Sequence, residues 1–336
     1  IPAQLPTLGQ VFAHQGYRTI GLSDGGWFSP RHGFSRGFDV FIKGEGIGTF
    51  KKRLTPQLET ATHAPLLLLF HTYDIHQPYY SAPPKYQELY TDRHYHSPLN
   101  LRRNLIPSES GRATVELSEG DLELVRALYD GEIRYLDDSL PVISDLIDGH
   151  RPGRPRLVVL FSDHGESFGE EGRLLHSSAP YRELSHVPLI IAGNGIPAGR
   201  RVRNIVETVG LLPTLIELLG FGDEETAGFE GASFSKLLGP ELRTEKPRPY
   251  AIAQRGGWAL RSDLWSLVVD GQDTRLYDRR NDPQETVDVA AQHPQVVARL
   301  TVFYNDLMAD TRVETPGRVT PDAQSLNELR ALGYLD

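Results

Sequence analysis

Runs of consecutive apolar residues are the strongest strand signals of the chain, at Leu66–Phe70 and Leu157–Phe161. Short runs without polar alternation are typical of strands that are covered on both faces of a sheet. Further strands are predicted over Tyr17–Leu22 and Pro188–Ala192. Because helical patterns separate these strands, the sequence predicts an α/β fold with a mainly parallel sheet sandwiched by helices.

Helices are predicted where apolar residues recur every three or four positions. The patterns cover about residues 5–15, 115–146 and 209–219. Gly16 and Gly220 directly follow two of them, and a glycine at this place commonly ends a helix. Residues 40–62 and 80–112 show neither pattern clearly and are predicted as loops.

The pattern changes after about Gly231, where short alternating segments with tight turns predict a small antiparallel sheet and a final helix. The predicted elements are Tyr250–Gln254, Trp258–Arg261, Trp265–Asp270, Leu276–Tyr277 and the helix Pro294–Met308. We therefore divide the chain into an α/β domain over residues 1–230 and a C-terminal subdomain over residues 231–336.

The composition excludes several classes of protein. A net charge of −9 argues against a nucleic-acid binder, which would normally carry a basic surface. The absence of cysteine excludes a disulfide scaffold and a cysteine-ligated metal site. No apolar stretch approaches the ~20 residues that a transmembrane helix needs. A small anionic substrate stays open, since a local cluster of metal and histidine can override the overall charge.

The first candidate site follows the apolar run Leu157–Phe161. Asp163 and His164 come just after it, and ligands of open α/β sheets bind outside the carboxyl ends of the strands. A neighbouring carboxylate and imidazole can hold one cation if the backbone turns sharply, which Gly165 permits. The spacing alone leaves an equally strong alternative, in which Asp163 caps a following helix and His164 faces solvent.

The second candidate is the loop after Leu66–Phe70, which carries His71, Asp74 and His76. Three titratable side chains at the end of a buried strand could bind a metal ion or an anionic ester. The alternative is a proline-shaped loop whose histidines bond local backbone groups. The spacing does not decide between the two.

His176 is the third candidate, between the predicted strands Leu157–Phe161 and Pro188–Ala192. A single histidine is more often structural or exposed than functional. Its position gives it more weight, because it follows Asp163 and His164 on the same edge of the predicted sheet.

Taken in order, these segments resemble the sulfatase family of the alkaline phosphatase superfamily. Each matching segment is short, but the ordered set is specific and runs through nearly the whole chain. The segments are Leu5–Leu8, Gly16–Thr19, Ser29–Asp39, His71–Tyr79, Tyr129–Asp138, Asp163–Glu166, His176, Tyr181–Ile190, Leu276–Asp278, Asp282–Glu285 and Leu332–Leu335. The resemblance implies an alkaline phosphatase-like fold.

The resemblance also implies a metal-dependent sulfuric ester hydrolase, with Asp163 and His164 as two ligands of a divalent cation. Ca²⁺ or Mg²⁺ is the expected ion, and the imidazole ligand makes Mn²⁺ or Zn²⁺ the alternative. It favours a secreted or periplasmic location. It gives no indication of the oligomeric state.

For the ester, the resemblance gives His76 and His176 the catalytic roles: they would contact its anionic oxygens or protonate the leaving oxygen. His71 and Asp74 would contribute to substrate binding. Negative charge develops on these oxygens as the ester is cleaved, and a cation with imidazolium donors stabilises it.

In the family, a further strand precedes the segment that resembles Leu5–Leu8. It carries an aspartate pair that completes the metal site and a Cys/Ser-x-Pro-x-Arg motif whose Cys or Ser becomes the formylglycine nucleophile. This chain contains neither, so we expect an N-terminal portion to be missing and the chain alone to be inactive. The family's Gly-Lys-x-His element is also absent, and Leu22–Trp27 stands in its place.

Three functions therefore stay open. The first is hydrolysis of sulfate esters. The second is a phosphodiesterase, phosphonate hydrolase or phosphoryl transferase of the same superfamily, toward which an Asp-His metal pair leans. The third is a non-catalytic relative or fragment that binds a ligand without turnover. We expect substrate specificity to come from residues 40–62, residues 80–112 and the C-terminal subdomain.

Overall fold

The computed structural model describes residues 1–60, 63–101, 117–176, 179–222, 229, 231–239 and 250–310. The described residues form two compact units, one up to Arg154 and the other from Pro155 onward. The motif at residues 332–335 and residues 102–112 of the second predicted loop lie outside the described residues. The division into domains at residue 230 stays a prediction.

A three-stranded parallel sheet forms the centre of the first unit. Its strands lie in the order β2–β1–β3, with β1 at Arg18–Ser23, β2 at Val40–Lys43 and β3 at Leu66–His71. In β1 every residue but the first is buried, whereas all of β3 is half-buried, because β3 lies at the edge of the described sheet. The predicted parallel sheet is confirmed here, but β3 is less covered than its apolar run indicates.

The helices described in this unit are α1 (Leu8–His14), α2 (Ile47–Glu59), α3 (Pro84–Gln87) and α4 (Glu119–His150). A capping box starts both predicted helices, formed by Thr7 with Gln10 in α1 and by Ser118 with Asp121 in α4. In each box the hydroxyl accepts a hydrogen bond from the backbone N–H three residues on, which satisfies a donor that the helix leaves open. These polar residues fix where both helices begin.

Strand β2 and helix α2 lie within residues 40–59, where the sequence predicts a loop, so that prediction is wrong for these residues. The residues that α2 buries recur at helical spacing: Ile47, Phe50, Leu54 and Leu58. They pack against Ile20 and Leu22 of β1 in the core of the unit. The flanking glycines and the internal Pro56 hide this pattern in the sequence.

In the second unit, strand β4 (Leu157–Phe161) pairs with β7 (Leu189–Gly193), and the pairing is antiparallel. The chain between them forms the short antiparallel pair β5 (Ser167–Phe168) and β6 (Leu174–Leu175) and the one-turn helix α5 (Arg182–Ser185). A parallel neighbour usually needs a crossover helix, and this connection has no long helix in its described residues. The chain therefore returns in the opposite direction.

One face of the β4–β7 pair is covered by helix α6 (Leu211–Leu219) and the residues after it. Val159 and Ile191 pack there against Leu211 and its neighbours. On the other face Val158 is 48% exposed and Ile190 is 58% exposed. Within the described residues of this unit, the strand at residues 157–161 therefore has one covered face.

The predicted C-terminal sheet is present, with four antiparallel strands in the order β11–β10–β9–β8. Its elements are β8 (Tyr250–Gln254), β9 (Trp258–Ser262), β10 (Trp265–Asp270), β11 (Asp273–Asp278) and helix α7 (Pro294–Asp310). In the part of the chain that is described, no helix combines the length and apolar character needed to cross a membrane.

A buried ion pair holds the turn after β11 against this sheet. Arg261 donates to both carboxylate oxygens of Glu285 at 3.1 Å, and the Ser266 hydroxyl donates to the same carboxylate at 3.0 Å. The side chains of Arg261 and Glu285 are only 11% and 3% exposed. Glu285 also adopts a left-handed backbone conformation, with φ of 59°, which these contacts hold in place.

Replacing Glu285 with alanine is expected to lower the free energy of unfolding by about 3–5 kcal/mol, because it leaves the buried Arg261 charge without its partner. Urea unfolding followed by circular dichroism measures the change. The exposed Asp145→Ala serves as a control and should stay within about 0.5 kcal/mol of the unaltered chain. Equal unfolding midpoints for Glu285→Ala and the control would contradict the assignment.

Candidate active site

Asp163 and His164 lie directly after β4, in the turn that leads to β5. No helix begins there, so Asp163 does not act as a helix cap; its Oδ1 accepts the N–H of His164 at 3.0 Å. Gly165 is needed for a close approach, because a Cβ atom at this position would lie 2.0 Å from the carbonyl oxygen of Glu183. The Gly165 N–H also donates to the Leu184 carbonyl at 2.7 Å, which fixes the turn.

The two side chains of this turn point toward a common position. Nδ1 of His164 lies 2.8 Å from the carbonyl oxygen of Gly165, so Nε2 is the nitrogen for any ligand. Nε2 lies 3.9 Å from Oδ1 of Asp163. Two atoms this far apart can bind one ion, since metal–ligand bonds of ~2.1 Å allow separations of up to about 4.2 Å.

His176 lies on β6's C-terminal side and is 1% exposed. Its Nδ1 lies 2.9 Å from Oε1 of Glu166, which is itself buried. The imidazole stacks on that of His164, with ring centroids 4.3 Å apart. The structure therefore brings Asp163, His164 and His176 together in one group, and it adds Glu166, which lies in the same motif as Asp163 but is not predicted from the sequence as a site residue.

Burial, with smaller contributions from the neighbouring His164 and Arg255, lowers the pKa of His176 to about 3. The ring is therefore neutral at pH 7 in this environment. A neutral ring that donates from Nδ1 to Glu166 could reach an ester oxygen only through Nε2. An anion beside it would favour the protonated form.

In the first unit, His71 ends β3 with its ring packed between aromatic side chains. Phe28 stacks on it at 4.7 Å, and Tyr73 meets it edge-on at 4.9 Å. The Ser23 hydroxyl lies 3.3 Å from Nδ1. The same Tyr73 ring meets His76 at 5.2 Å, so it separates the two histidines and sets their spacing.

Asp74 is buried, and its carboxylate faces the start of helix α2. Its Oδ2 accepts the N–H of Ile47 at 2.6 Å and the hydroxyl of Thr72 at 2.7 Å. The Thr72 hydroxyl also lies 2.8 Å from Oδ2 of Asp24, and its single proton can be donated to only one of the two carboxyl groups at a time. Burial raises the pKa of Asp74, and the neighbouring Asp24 adds to the rise.

These contacts explain the glycine-rich start of α2. Asp24 accepts the N–H of Gly46 at 3.0 Å, so the two carboxylates occupy the helix N-terminus, which attracts anions. A Cβ atom at Gly44 or Gly46 would lie within 2.7 Å of a carboxylate oxygen of Asp24 or Asp74. Asp24 lies in the stretch 22–27, where the family's Gly-Lys-x-His element is absent. The role of Asp74 as a substrate contact stays a prediction.

His76 is 7% exposed, and its Nδ1 lies 3.1 Å from the carbonyl oxygen of Gln77. This is a local backbone contact of the kind that the alternative interpretation predicts, and it leaves the catalytic role untested. The contact fixes the orientation of the ring, with Nε2 on the opposite side.

The described residues contain no cluster of three or more carboxylate or imidazole side chains that could hold a metal ion. Asp163 and His164 supply two donors, one oxygen and one nitrogen, in positions that fit a single ion. That the two residues form half of a metal site stays a prediction. The ion's other ligands would have to come from groups outside this pair.

A sequence model of the Sulfatase family matches residues 1–221. Arylsulfatase K of Xenopus laevis is 29% identical over 211 residues, which cover 57% of this chain and 39% of that protein. Choline-sulfatase of Rhizobium meliloti (strain 1021) is 29% identical over 196 residues, which cover 56% of this chain and 38% of that protein. The matches thus span about two fifths of the length of these relatives.

Solved structures show the same fold. A 2-O GAG sulfatase has a TM-score of 0.70 and 18% identity, with 97% of this chain and 79% of that chain covered. The phosphonate monoester hydrolase of Agrobacterium radiobacter has a TM-score of 0.70 and 17% identity, with 92% and 81% covered. The predicted fold class is confirmed, and at these identities the likeness says nothing more than that.

Proposed function

Because the chain belongs to the sulfatase family, we propose that the complete protein is a metal-dependent hydrolase of sulfate esters. The observation that carries the proposal is the group of Asp163, His164, Glu166 and His176. It combines two metal donors with a buried carboxylate–imidazole pair, 2.9 Å apart. Catalytic sites use a carboxylate in this position to orient an imidazole.

Sulfatases generally depend on a divalent metal ion, and we propose Asp163 and His164 as two of its ligands, with Ca²⁺ or Mg²⁺ as the ion. Bound there, the ion would polarise the ester and stabilise negative charge on its oxygens. Neighbouring residues of this chain orient the two proposed ligands. The Gly165 carbonyl fixes the His164 tautomer, and Glu183 packs against the turn that carries both ligands.

His176 and His76 are proposed to act on the ester oxygens, as donors to the developing charge or to the leaving oxygen. Glu166 holds Nδ1 of His176 and would stabilise its imidazolium form when an anion is bound. His71 is proposed to assist substrate binding. Asp74 is proposed to support substrate binding without contacting the substrate, because its carboxylate is already bonded to Ile47 and Thr72.

The alternative is a phosphodiesterase, phosphonate hydrolase or phosphoryl transferase, and the observation that favours it is the imidazole in the metal pair. Nitrogen ligands suit Mn²⁺ or Zn²⁺ better than Ca²⁺. The choice of metal therefore bears directly on the choice of function.

The location is also a proposal: sulfatases are often secreted, lysosomal or periplasmic, and we propose export for this protein.

The experiment compares turnover of p-nitrophenyl sulfate and bis-p-nitrophenyl phosphate by the full-length gene product. The protein is first stripped with a chelator and then reloaded with Ca²⁺, Mg²⁺, Mn²⁺ or Zn²⁺ in turn. We expect metal-dependent turnover with a higher kcat/KM for the sulfate ester. A clear preference for the phosphodiester supports the alternative, and failure to turn over either ester with any ion contradicts the enzymatic proposal.

A further inference from the structure

Glu132 is a buried carboxyl group that the proposed mechanism does not use. It lies on helix α4 and has an exposed fraction of 0%. An acidic side chain is almost never fully buried unless it is paired. Among the described residues Glu132 has no cationic partner, and its carboxyl group faces the end of the histidine loop, by which we mean residues 71–82.

Its contacts are with the backbone of that loop. Oε1 of Glu132 accepts the N–H of Ala82 at 2.9 Å, and the N–H of Ser81 also bonds to the carboxyl group. The side chain of Gln87 then donates to the Ala82 carbonyl at 2.5 Å. The backbone N–H and the backbone carbonyl of Ala82 are thus both bonded to side chains, at a place where the chain forms neither helix nor strand.

Packing one turn away on α4 supports the same attachment. Tyr79 is fully buried, and it meets the ring of Tyr129 edge-on at 5.5 Å. Tyr129 precedes Glu132 by three residues, so both side chains lie on the same face of the helix. This face of α4 therefore carries one aromatic and one polar contact to the loop.

At its other end the histidine loop is held by Asp74, which bonds to Ile47 at the start of α2. His76 lies between the two attachments. The six residues from Ile75 to Tyr80 lie between them and include the buried Tyr79. The bonds of Ser81 and Ala82 to Glu132 therefore act together with Tyr79 to restrain the backbone that follows His76.

We propose that Glu132 is a positioning residue of the candidate active site, which holds the histidine loop on helix α4 and thereby sets where the His76 imidazole lies. The proposal rests on the proposed function for the part that concerns catalysis. Its structural part, the attachment itself, does not.

The protonation state of Glu132 agrees with this role. Burial, with a smaller contribution from the nearby Asp74 carboxylate, raises its pKa to about 7. The second oxygen, Oε2, is buried and has no hydrogen-bond partner among the described residues. An ionised group would leave charge on that oxygen, so the neutral acid is favoured up to neutral pH. Asp74 and Tyr135 are the titratable groups that interact with it.

Two substitutions separate the attachment from the charge. Glu132→Ala removes the acceptor, so the amides of Ser81 and Ala82 should exchange with deuterium faster, and the ¹⁵N resonances of the His76 ring should shift. If the enzyme acts on p-nitrophenyl sulfate, kcat should fall by about a hundredfold while KM stays within about twofold, since the ester still binds but His76 is misplaced. Glu132→Gln keeps the acceptor and should restore both exchange and most of kcat.

The amide variant also tests the raised pKa. From about pH 4.5 to pH 7 the unfolded chain releases the Glu132 proton while the folded chain retains it, so stability falls with rising pH and is level above pH 7. Glu132→Gln cannot titrate. Its thermal midpoint relative to the unaltered protein should therefore be higher at pH 8 than at pH 5.

Ile143→Ala is the matched control, because Ile143 is buried on the same helix but packs in the core around β1. It should lower the melting temperature while leaving the exchange at Ser81 and Ala82, the His76 resonances and kcat unchanged. If Glu132→Ala behaves like this control, the proposal is wrong. If the unaltered protein cleaves no ester, the proposed function fails, and the exchange and resonance measurements still decide whether Glu132 positions His76.

Discussion

Asp163→Ala is expected to remove the bound divalent ion and to lower kcat/KM by about a thousandfold or more. In the proposed metal site the Asp163 carboxylate lies 3.9 Å from Nε2 of His164, the other proposed donor. Losing one charged ligand lowers the affinity for the metal ion, and the loss of a Lewis acid costs several kcal/mol of transition-state stabilisation. Metal content measured by mass spectrometry after desalting, together with turnover of p-nitrophenyl sulfate, tests this in the full-length protein.

His164→Ala should have the same two effects, because it removes the other donor. Asp145→Ala is the matched control: it removes an exposed aspartate from α4 and should leave metal content and activity unchanged. Asp163 is also exposed, so replacing it should change the free energy of unfolding of the metal-free protein by no more than about 0.5 kcal/mol. Equal metal content in Asp163→Ala and the unaltered protein would refute the ligand assignment.

The elements that the sequence predicts well are those whose pattern is local. The strands at residues 157–161, 250–254 and 265–270 begin and end where they are predicted, because each is bounded by turn residues or by charged ends. The start of helix α4 is predicted less accurately, since it depends on the capping box of Ser118 and Asp121 and not on an apolar residue. It begins four residues later than the apolar stripe predicts.

The errors have long-range causes. The apolar residues of helix α2 recur at helical spacing, but its start at Ile47 depends on two carboxylates that are distant in the sequence, Asp24 and Asp74, which bond to the N–H groups of Gly46 and Ile47. The direction of β7 depends on the connection folding into a hairpin instead of a helix. Neither feature can be found from hydrophobic periodicity alone.

The candidate residues show the same division. The pair Asp163 and His164 could be found from its place after an apolar strand, and the structure keeps its donors within reach of one ion. Glu166 was within the same short motif but had no partner until the fold placed His176 2.9 Å away. Asp74 illustrates the limit, because the sequence shows a carboxylate in the right loop but not that Ile47 and Thr72 already bond to it.

His176→Ala is expected to lower kcat by about a hundredfold to ten-thousandfold with the metal retained, the range found when a positioned acid or base is removed. Its imidazole does not belong to the metal pair, but it stacks on His164 at 4.3 Å, so the variant distinguishes two roles. Retained metal with lost turnover supports a direct role at the ester. Loss of the metal would show instead that His176 acts by supporting the His164 ring.

Glu166→Gln tests the role of the Glu166 charge, because it keeps the size of the side chain and removes the charge. If Glu166 only fills space, kcat should stay near that of the unaltered protein. If it orients His176 and stabilises the imidazolium that an ester anion induces, kcat should fall by about tenfold or more while metal content stays constant. The exposed Glu123→Gln on α4 is the control for the substitution itself. Full activity in Glu166→Gln together with loss of activity in His176→Ala would remove Glu166 from the mechanism and leave His176 in it.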